Sequence, residues 1–193
     1  MADKRFPWLL GILFPLIAYS CIFISISLAP WFSWYNNALS DLGVYQRTAI
    51  IFNCGLVVSG LLYFLYSIHL ITTIKNLYGR LGAGLLVLDA LSLSLVGVFP
   101  ENLGVIHSFF AVLYFLIFPF AYILFVISSI KGREHVLIPF SFLIGALIGF
   151  SIWFIPWRSF GIKGLAIPEI IGSLGNIAPL VTYSIYKLTK KSY

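Results

Sequence analysis

Apolar residues in this chain come in runs of about 20 or more, separated by short polar connections, and no stretch alternates apolar and polar positions. A helix rising 1.5 Å per residue needs about 20 residues to cross roughly 30 Å of hydrocarbon. A transmembrane β-barrel would alternate, because one side of each strand faces the lumen. The runs predict helices over residues 8–29, 48–72, 81–99, 104–130, 136–157 and 167–188. The expected fold is all-α: a polytopic integral membrane protein with six transmembrane helices in one bundle. They form a single domain over residues 1–193, and no convincing repeat relates the first three runs to the last three.

Composition supports the lipid-embedded reading. Hydrophobic residues make up 61% of the chain and charged ones 9%, against about 25% charged in soluble domains, too little polar surface to coat a soluble globule. The first run follows Lys4 and Arg5, and Ser27-Leu28-Ala29 resembles a signal-peptide cleavage site. Its apolar stretch exceeds the roughly 7 to 15 residues of a signal peptide, and Pro30 stands where cleavage would fall, so we expect it to be retained.

Charge supplies an orientation, because Lys and Arg near span ends collect in the cytoplasm. Lys4, Arg5, Lys75, Arg80, Lys131, Arg133, Lys187, Lys190 and Lys191 fall on one side, against Arg47, Arg158 and Lys163 on the other. Both termini are therefore expected in the cytoplasm. The net charge of +6 reads as this topology signal, with attraction to anionic inner-leaflet lipid besides. The basic residues form no single aromatic-interleaved patch, so no nucleic-acid partner is expected. Trp31, Trp34, Trp153 and Trp157 fit an interface belt on the outer side and Trp8 on the inner. Cys21 and Cys54 are read as buried packing residues.

An ionisable residue inside a span costs at least about 2.5 to 3.5 kcal/mol at the helix centre and needs a reason to persist. Asp89 is the one such carboxylate, with Ser92 on the same helical face. Asn53, Asn176 and Ser20 are the intramembrane polar groups that can reach it. One reading is a hydrogen-bond knot between helices. The other is a proton-carrying or ligand-binding carboxylate.

A second group gathers at the outer connections: Asn36, Asn37, Ser40 and Asp41, then Glu101, Asn102 and His107, then Arg158, Lys163 and Glu169. The short Pro100-Glu101-Asn102 link makes spans three and four antiparallel neighbours, so Glu101 and His107 face one rim. Each residue also has a local explanation. Ser40 or Asp41 suits a cap on the second span, Asn102 on the fourth, and Glu169 a first turn where negative charge favours the helix dipole. Their gathering on one face is what suggests a site.

No metal or cofactor is expected. Catalytic zinc usually takes three protein ligands, but His69 and His135 belong to the side opposite His107, which leaves only a mixed set of His107, Asp41 and Glu101. The chain has no P-loop, dinucleotide fingerprint, Gly-x-Ser-x-Gly elbow or Cys-x-x-Cys pair. Gly145 and Gly149 form a Gly-x-x-x-Gly face that admits a close helix, either within the chain or from another membrane subunit. Pro119 and Pro179 are expected to bend their spans.

The stretch Asn37-Ala38-Leu39-Ser40-Asp41-Leu42-Gly43, followed by Gly97-Val98-Phe99-Pro100-Glu101 and His107, resembles the prokaryotic membrane family catalogued as domain of unknown function 998. The six-span organisation matches over essentially the whole chain. The resemblance implies no reaction. The family is similar, more distantly, to eukaryotic Frag, DRAM and Sfk membrane proteins, some associated with lipid or GPI-anchor handling, which points toward lipid. Its matched positions are Ser40, Asp41, Gly43, Pro100, Glu101 and His107, while Lys163 and Glu169 rest on topology alone.

Three functions compete. The first is a lipid-interacting protein whose outer-face pocket binds a headgroup, with Arg158 or Lys163 on phosphate and Asn37, Ser40, Asp41, Glu101, His107 and Glu169 around the polar end. His107, Asp41 and Glu101 would be the catalytic candidates if it were an enzyme, but binding without catalysis is preferred. The second is an accessory subunit of a larger membrane complex. The third is a small proton-coupled transporter built on Asp89, weakened by the lack of a visible inverted repeat.

Overall fold

The computed structural model describes residues 5–190, and all regular structure among them is helical. Lys4 and Lys191, counted in the charge asymmetry, lie outside the described residues. Six long helices run as α1 (Phe6–Ser27), α2 (Ala49–Thr73), α3 (Leu77–Val98), α4 (Val105–Lys131), α5 (Leu137–Ser151) and α6 (Ala166–Thr189). Two ends depart from the predicted spans for local reasons. The third helix starts four residues early because the Asn76 side chain accepts the Gly79 N–H at 2.9 Å and caps it. The fifth stops early because Pro156 drives Ile155 into extended backbone.

Short links force antiparallel neighbours. Each helix packs on the next in sequence, and α6 closes the ring against α1. We call upper the end that carries the α1–α2, α3–α4 and α5–α6 connections, and lower the opposite end.

The outward surface is apolar along the helices, with Leu16, Ile50, Leu61, Val105, Phe109, Val112 and Leu147 all more than half exposed. A bundle in water would turn polar residues outward, so this surface is built for lipid. Among the described residues five helical runs are long and apolar enough to cross a membrane, α5 by continuing through a 3₁₀ turn to Phe154. The remaining one, α6, has the length at 24 residues but is more polar, carrying Glu169, Asn176 and Lys187. The protein is a multi-pass helical membrane protein.

Inside the ring, buried aromatic rings fill the space between helices. Phe14 stacks on Tyr63 at 4.5 Å and Phe125 on Phe142 at 4.8 Å. Gly145 and Gly149 supply notches for two helices of the same chain. A Cβ on Gly145 would stand 2.6 Å from the Gly175 carbonyl and 2.7 Å from the Pro179 ring of α6, and one on Gly149 would meet Phe118 and Pro119 of α4. The face that could have received another subunit is thus filled from within.

Several intramembrane expectations change. Trp8 is buried at the lower end, edge-on to His69 at 4.6 Å and to Tyr183 at 5.8 Å, so it is a packing residue and not an interface anchor. Cys54 is exposed on the outer surface, while Cys21 sits in the gap left by Gly55. Ser20 is exposed and cannot reach Asp89. Ser92 spends its hydroxyl on the Leu88 carbonyl of its own helix.

A rim of carboxylates above an apolar cavity

The 28–48 connection folds back on itself because Asn37 and Asp41 organise its backbone. Asn37 accepts the Ser33 N–H at 2.9 Å and donates its amide to Asp41 Oδ2 at 2.9 Å. The same oxygen takes the Ala38 N–H at 3.0 Å. A short 3₁₀ turn, Ser40–Gly43, follows, and its end is held by Thr48 on the Leu42 carbonyl (2.6 Å) and by Asn53 on the Gly43 carbonyl (2.8 Å). Asn53 therefore belongs to the upper rim and not to Asp89.

The α5–α6 connection docks on this loop through its backbone. Lys163 and Gly164 donate to the Tyr35 carbonyl at 2.7 and 2.9 Å, and Ala166 donates to that of Asn37 at 2.9 Å. Gly164 lies flat on the Asn36–Asn37 peptide, where any Cβ would collide with backbone. From the first turn of α6, Glu169 reaches across to accept the Leu39 N–H at 2.6 Å.

The N-caps considered from sequence for the second and fourth spans are not the ones realised, whereas Glu169 does stand in the first turn of α6, where its charge suits the helix dipole. Thr48 and Gly104 stand at the N-cap positions of α2 and α4, and neither helix has a side-chain cap. Asp41 holds its own loop and Glu169 ties α6 to a different loop. Asn102 is exposed at the edge.

Beneath the knitted loops lies a cavity with about 70 Å³ of room for water-sized spheres, walled mostly by apolar side chains of α1, α2, α3, α4 and α6. Its polar groups are Ser40, His107, Glu169, Tyr19, Ser173 and Tyr114. It reaches Ile177, eleven residues into α6 and about 16 Å from that helix's start. Tyr19 and Ser173 close one wall through a 3.1 Å bond between their hydroxyls.

His107 is 7% exposed, and its Nδ1 lies 2.8 Å from the Phe99 carbonyl. A carbonyl only accepts, so Nδ1 carries a proton and donates it to Phe99. Above it, Asp41 and Glu101 share an open depression with Asn37, Asn102, Trp31 and Tyr45. Glu101 Oε2 is buried without a donor, since a bond to the neighbouring Asp41 forms only when one carboxyl carries a proton. Burial first, then that bond and the charge of Asp41, hold the Glu101 carboxyl above its ordinary value, while Ser40 and His107 pull it back. The charges of Glu101 and Asp41 also act on Glu169.

The model of the family described as protein of unknown function DUF998 matches residues 12–186. The chain belongs to the DUF998 family. The matched region contains every rim residue from Asn37 to Glu169. No curated protein and no solved structure matches this DUF998 chain.

Not every candidate residue converges. Asn37, Ser40, Asp41, Glu101, His107 and Glu169 do, from three connections. Arg158 and Lys163 are exposed on the docked α5–α6 loop and line neither chamber. Among the described residues no three His, Cys, Asp or Glu side chains gather as metal ligands, so His107, Asp41 and Glu101 make no zinc set.

A separate polar cluster sits mid-bundle in this DUF998 protein. Asn176 donates to Asp89 Oδ2 at 2.8 Å. Its Oδ1 accepts the hydroxyls of Tyr122 at 3.0 Å and Tyr63 at 3.4 Å, and Tyr122 also meets the Asn176 carbonyl. Asp89 and Asn176 are fully buried, and Asp89 Oδ1 has no partner. The tyrosines are what sequence reasoning missed. Their signal was position: Tyr63 and Tyr122 sit far from the headgroup level where Tyr is ordinarily enriched.

Proposed function

We propose that this DUF998 protein is a lipid-interacting protein of the cell membrane, with six spans, cytoplasmic termini and an outward-facing upper end. The upper cavity takes the polar end and first carbons of one lipid molecule. Its carrying observation is the apolar cavity reaching about half the depth of the hydrocarbon beneath a rim of Ser40, His107, Glu169, Asp41 and Glu101. A site for a water-soluble solute would not need so greasy a wall, and a set of helix caps would not converge. The rim orients the headgroup, with Arg158 and Lys163 on the adjoining loop as contacts for phosphate. Binding without catalysis is the reading we hold. An accessory-subunit role through Gly145 and Gly149 is less supported, because α6 and α4 already fill those notches.

The test is the stability of wild type, Asp41→Ala, His107→Ala and the double variant in detergent, with and without added membrane phospholipid. A ligand that binds only the folded state adds about 2.7 kcal/mol at 100 times its Kd. Wild type should gain, and either single variant should lose most of that gain while remaining folded. Equal gains for all four proteins would mean general contact with the apolar belt and would defeat the proposal.

A further inference from the structure

The hydrogen-bonding inventory of the upper site is one-sided. Asp41, Glu101 and Glu169 bring three carboxylates close enough for their charges to act on one another. Fixed donors reach only part of this set: Asn37 and Ala38 satisfy Asp41 Oδ2, and Leu39 satisfies Glu169 Oε2. Glu101 Oε2 is buried with no donor. His107, 7% exposed, lines the cavity with Nδ1 on the Phe99 carbonyl and no other hydrogen-bond partner among the described residues. Among the described residues no lysine or arginine forms an ion pair with these carboxylates. Arg47, Arg158 and Lys163 are exposed, and the ion pairs among the described residues involve Glu134 at the lower end.

A site whose carboxylates are only partly met by fixed donors calls for a ligand rich in donors and positively charged. We infer that the upper site takes a primary ammonium group, held by Asp41 and Glu101 in the open depression, as carried by the amino headgroup of a zwitterionic phospholipid. An ammonium presents three N–H donors on one compact charge, and bonds between charged partners are about twice as strong as neutral ones. The phosphate of the same headgroup then lies toward the loop bearing Arg158 and Lys163. A bare metal ion fits less well, because His107 and the carboxylates do not converge as ligands. A trimethylated ammonium has no N–H to give and would rely on aromatic faces instead. Trp31 and Tyr45, edge-to-face at 5.3 Å beside the depression, are the groups it would use.

The inference rests on the lipid-binding proposal, and one experiment separates the two. Thermal stability of the purified full chain is followed against three phospholipids with identical dioleoyl tails and ethanolamine, choline or glycerol headgroups. A fourth arm uses soluble phosphoethanolamine. The ethanolamine lipid should half-saturate at a concentration about ten times lower than the others, the equivalent of one charge-assisted bond. Glu101→Gln and Asp41→Asn should each erase that preference, so that the three lipids half-saturate at similar concentrations. The wild-type comparison decides the matter even if a variant fails to fold. Equal stabilisation by all headgroups overturns the ammonium assignment but leaves lipid binding intact, and no stabilisation by any overturns both. A choline preference overturns it in favour of Trp31 and Tyr45. Phosphoethanolamine acting alone keeps the ammonium site and makes its source a soluble amine.

Discussion

Replacing Asn176 by leucine would remove the one side chain that satisfies three helices at once. It deletes the donor to Asp89 on α3 and the acceptor of Tyr63 on α2 and Tyr122 on α4. Inside a membrane an interhelical hydrogen bond measures on average about 0.6 kcal/mol and at most about 1.7. Three bonds therefore sum to about 2 to 5 kcal/mol. The 3.4 Å contact from Tyr63 is the weakest, so about 2 to 3 kcal/mol is the expected loss. Leucine is close to asparagine in size, and little of this can be recovered by repacking. The measurement is reversible unfolding in mixed micelles as denaturing detergent is titrated, with Asp89→Leu and the double variant completing a cycle. The two single losses should overlap, because both remove the same Asn176–Asp89 bond. Asp89→Asn, which keeps an oxygen for Asn176, should cost far less than Asp89→Leu. A cost for Asn176→Leu below about 0.5 kcal/mol, or losses that simply add, would mean the cluster does not hold the helices together.

Two further outcomes are expected. In a Cys21→Ser, Cys54→Ser background, Asn102→Cys should react with an impermeant thiol reagent added to intact cells and His135→Cys should not; the reverse pattern would overturn the proposed orientation. At the lower end, burial by itself raises the Glu134 carboxyl, but the bond to Lys187 and the nearby Tyr186 and Lys190 outweigh it and hold it below its ordinary value. A depressed carboxyl contributes stability above its unfolded pKa, about 4.3, and loses it as pH falls through the lower folded value. Wild type should therefore melt above Glu134→Gln at neutral pH, by no more than about 1 kcal/mol, with the difference vanishing below about pH 4; a constant difference would refute the pairing.

The helices were legible because crossing hydrocarbon demands a run of apolar residues whatever the neighbours do. Asp89 with Asn176 was legible for a related reason: polar groups in a span need partners, and few were on offer. Asn53 was misplaced because its depth along α2 says nothing of the loop that folds down to meet it. Trp8 was misplaced because the belt preference of Trp gives way when a bundle end has room for the ring. The rim was visible as a collection, yet the split into an open depression and a deeper, narrower cavity was not. That split depends on Gly164 letting two loops touch and on Glu169 reaching a backbone N–H 130 residues away in sequence. Sequence favoured Arg158 and Lys163 as equal members. Their exposure follows from the α5–α6 loop docking through its backbone, which leaves its side chains free to point outward.

The mid-bundle cluster and the upper cavity are one construction. Ile177 follows Asn176 directly, and Leu93 lies one turn above Asp89 on the same face of α3, so residues flanking the hydrogen-bonded pair form the cavity floor. Apolar contacts alone would let these helices slide, because lipid tails are as apolar as leucine and offer the floor no preference for one depth. A directional bond between Asp89 and Asn176 does have such a preference. It holds α3 and α6 at a set spacing beside Ile177 and one turn below Leu93, at the level of the cavity floor. A buried carboxylate in mid-span is costly, and what offsets its cost here is the bond from Asn176, whose own oxygen is held by Tyr63 and Tyr122.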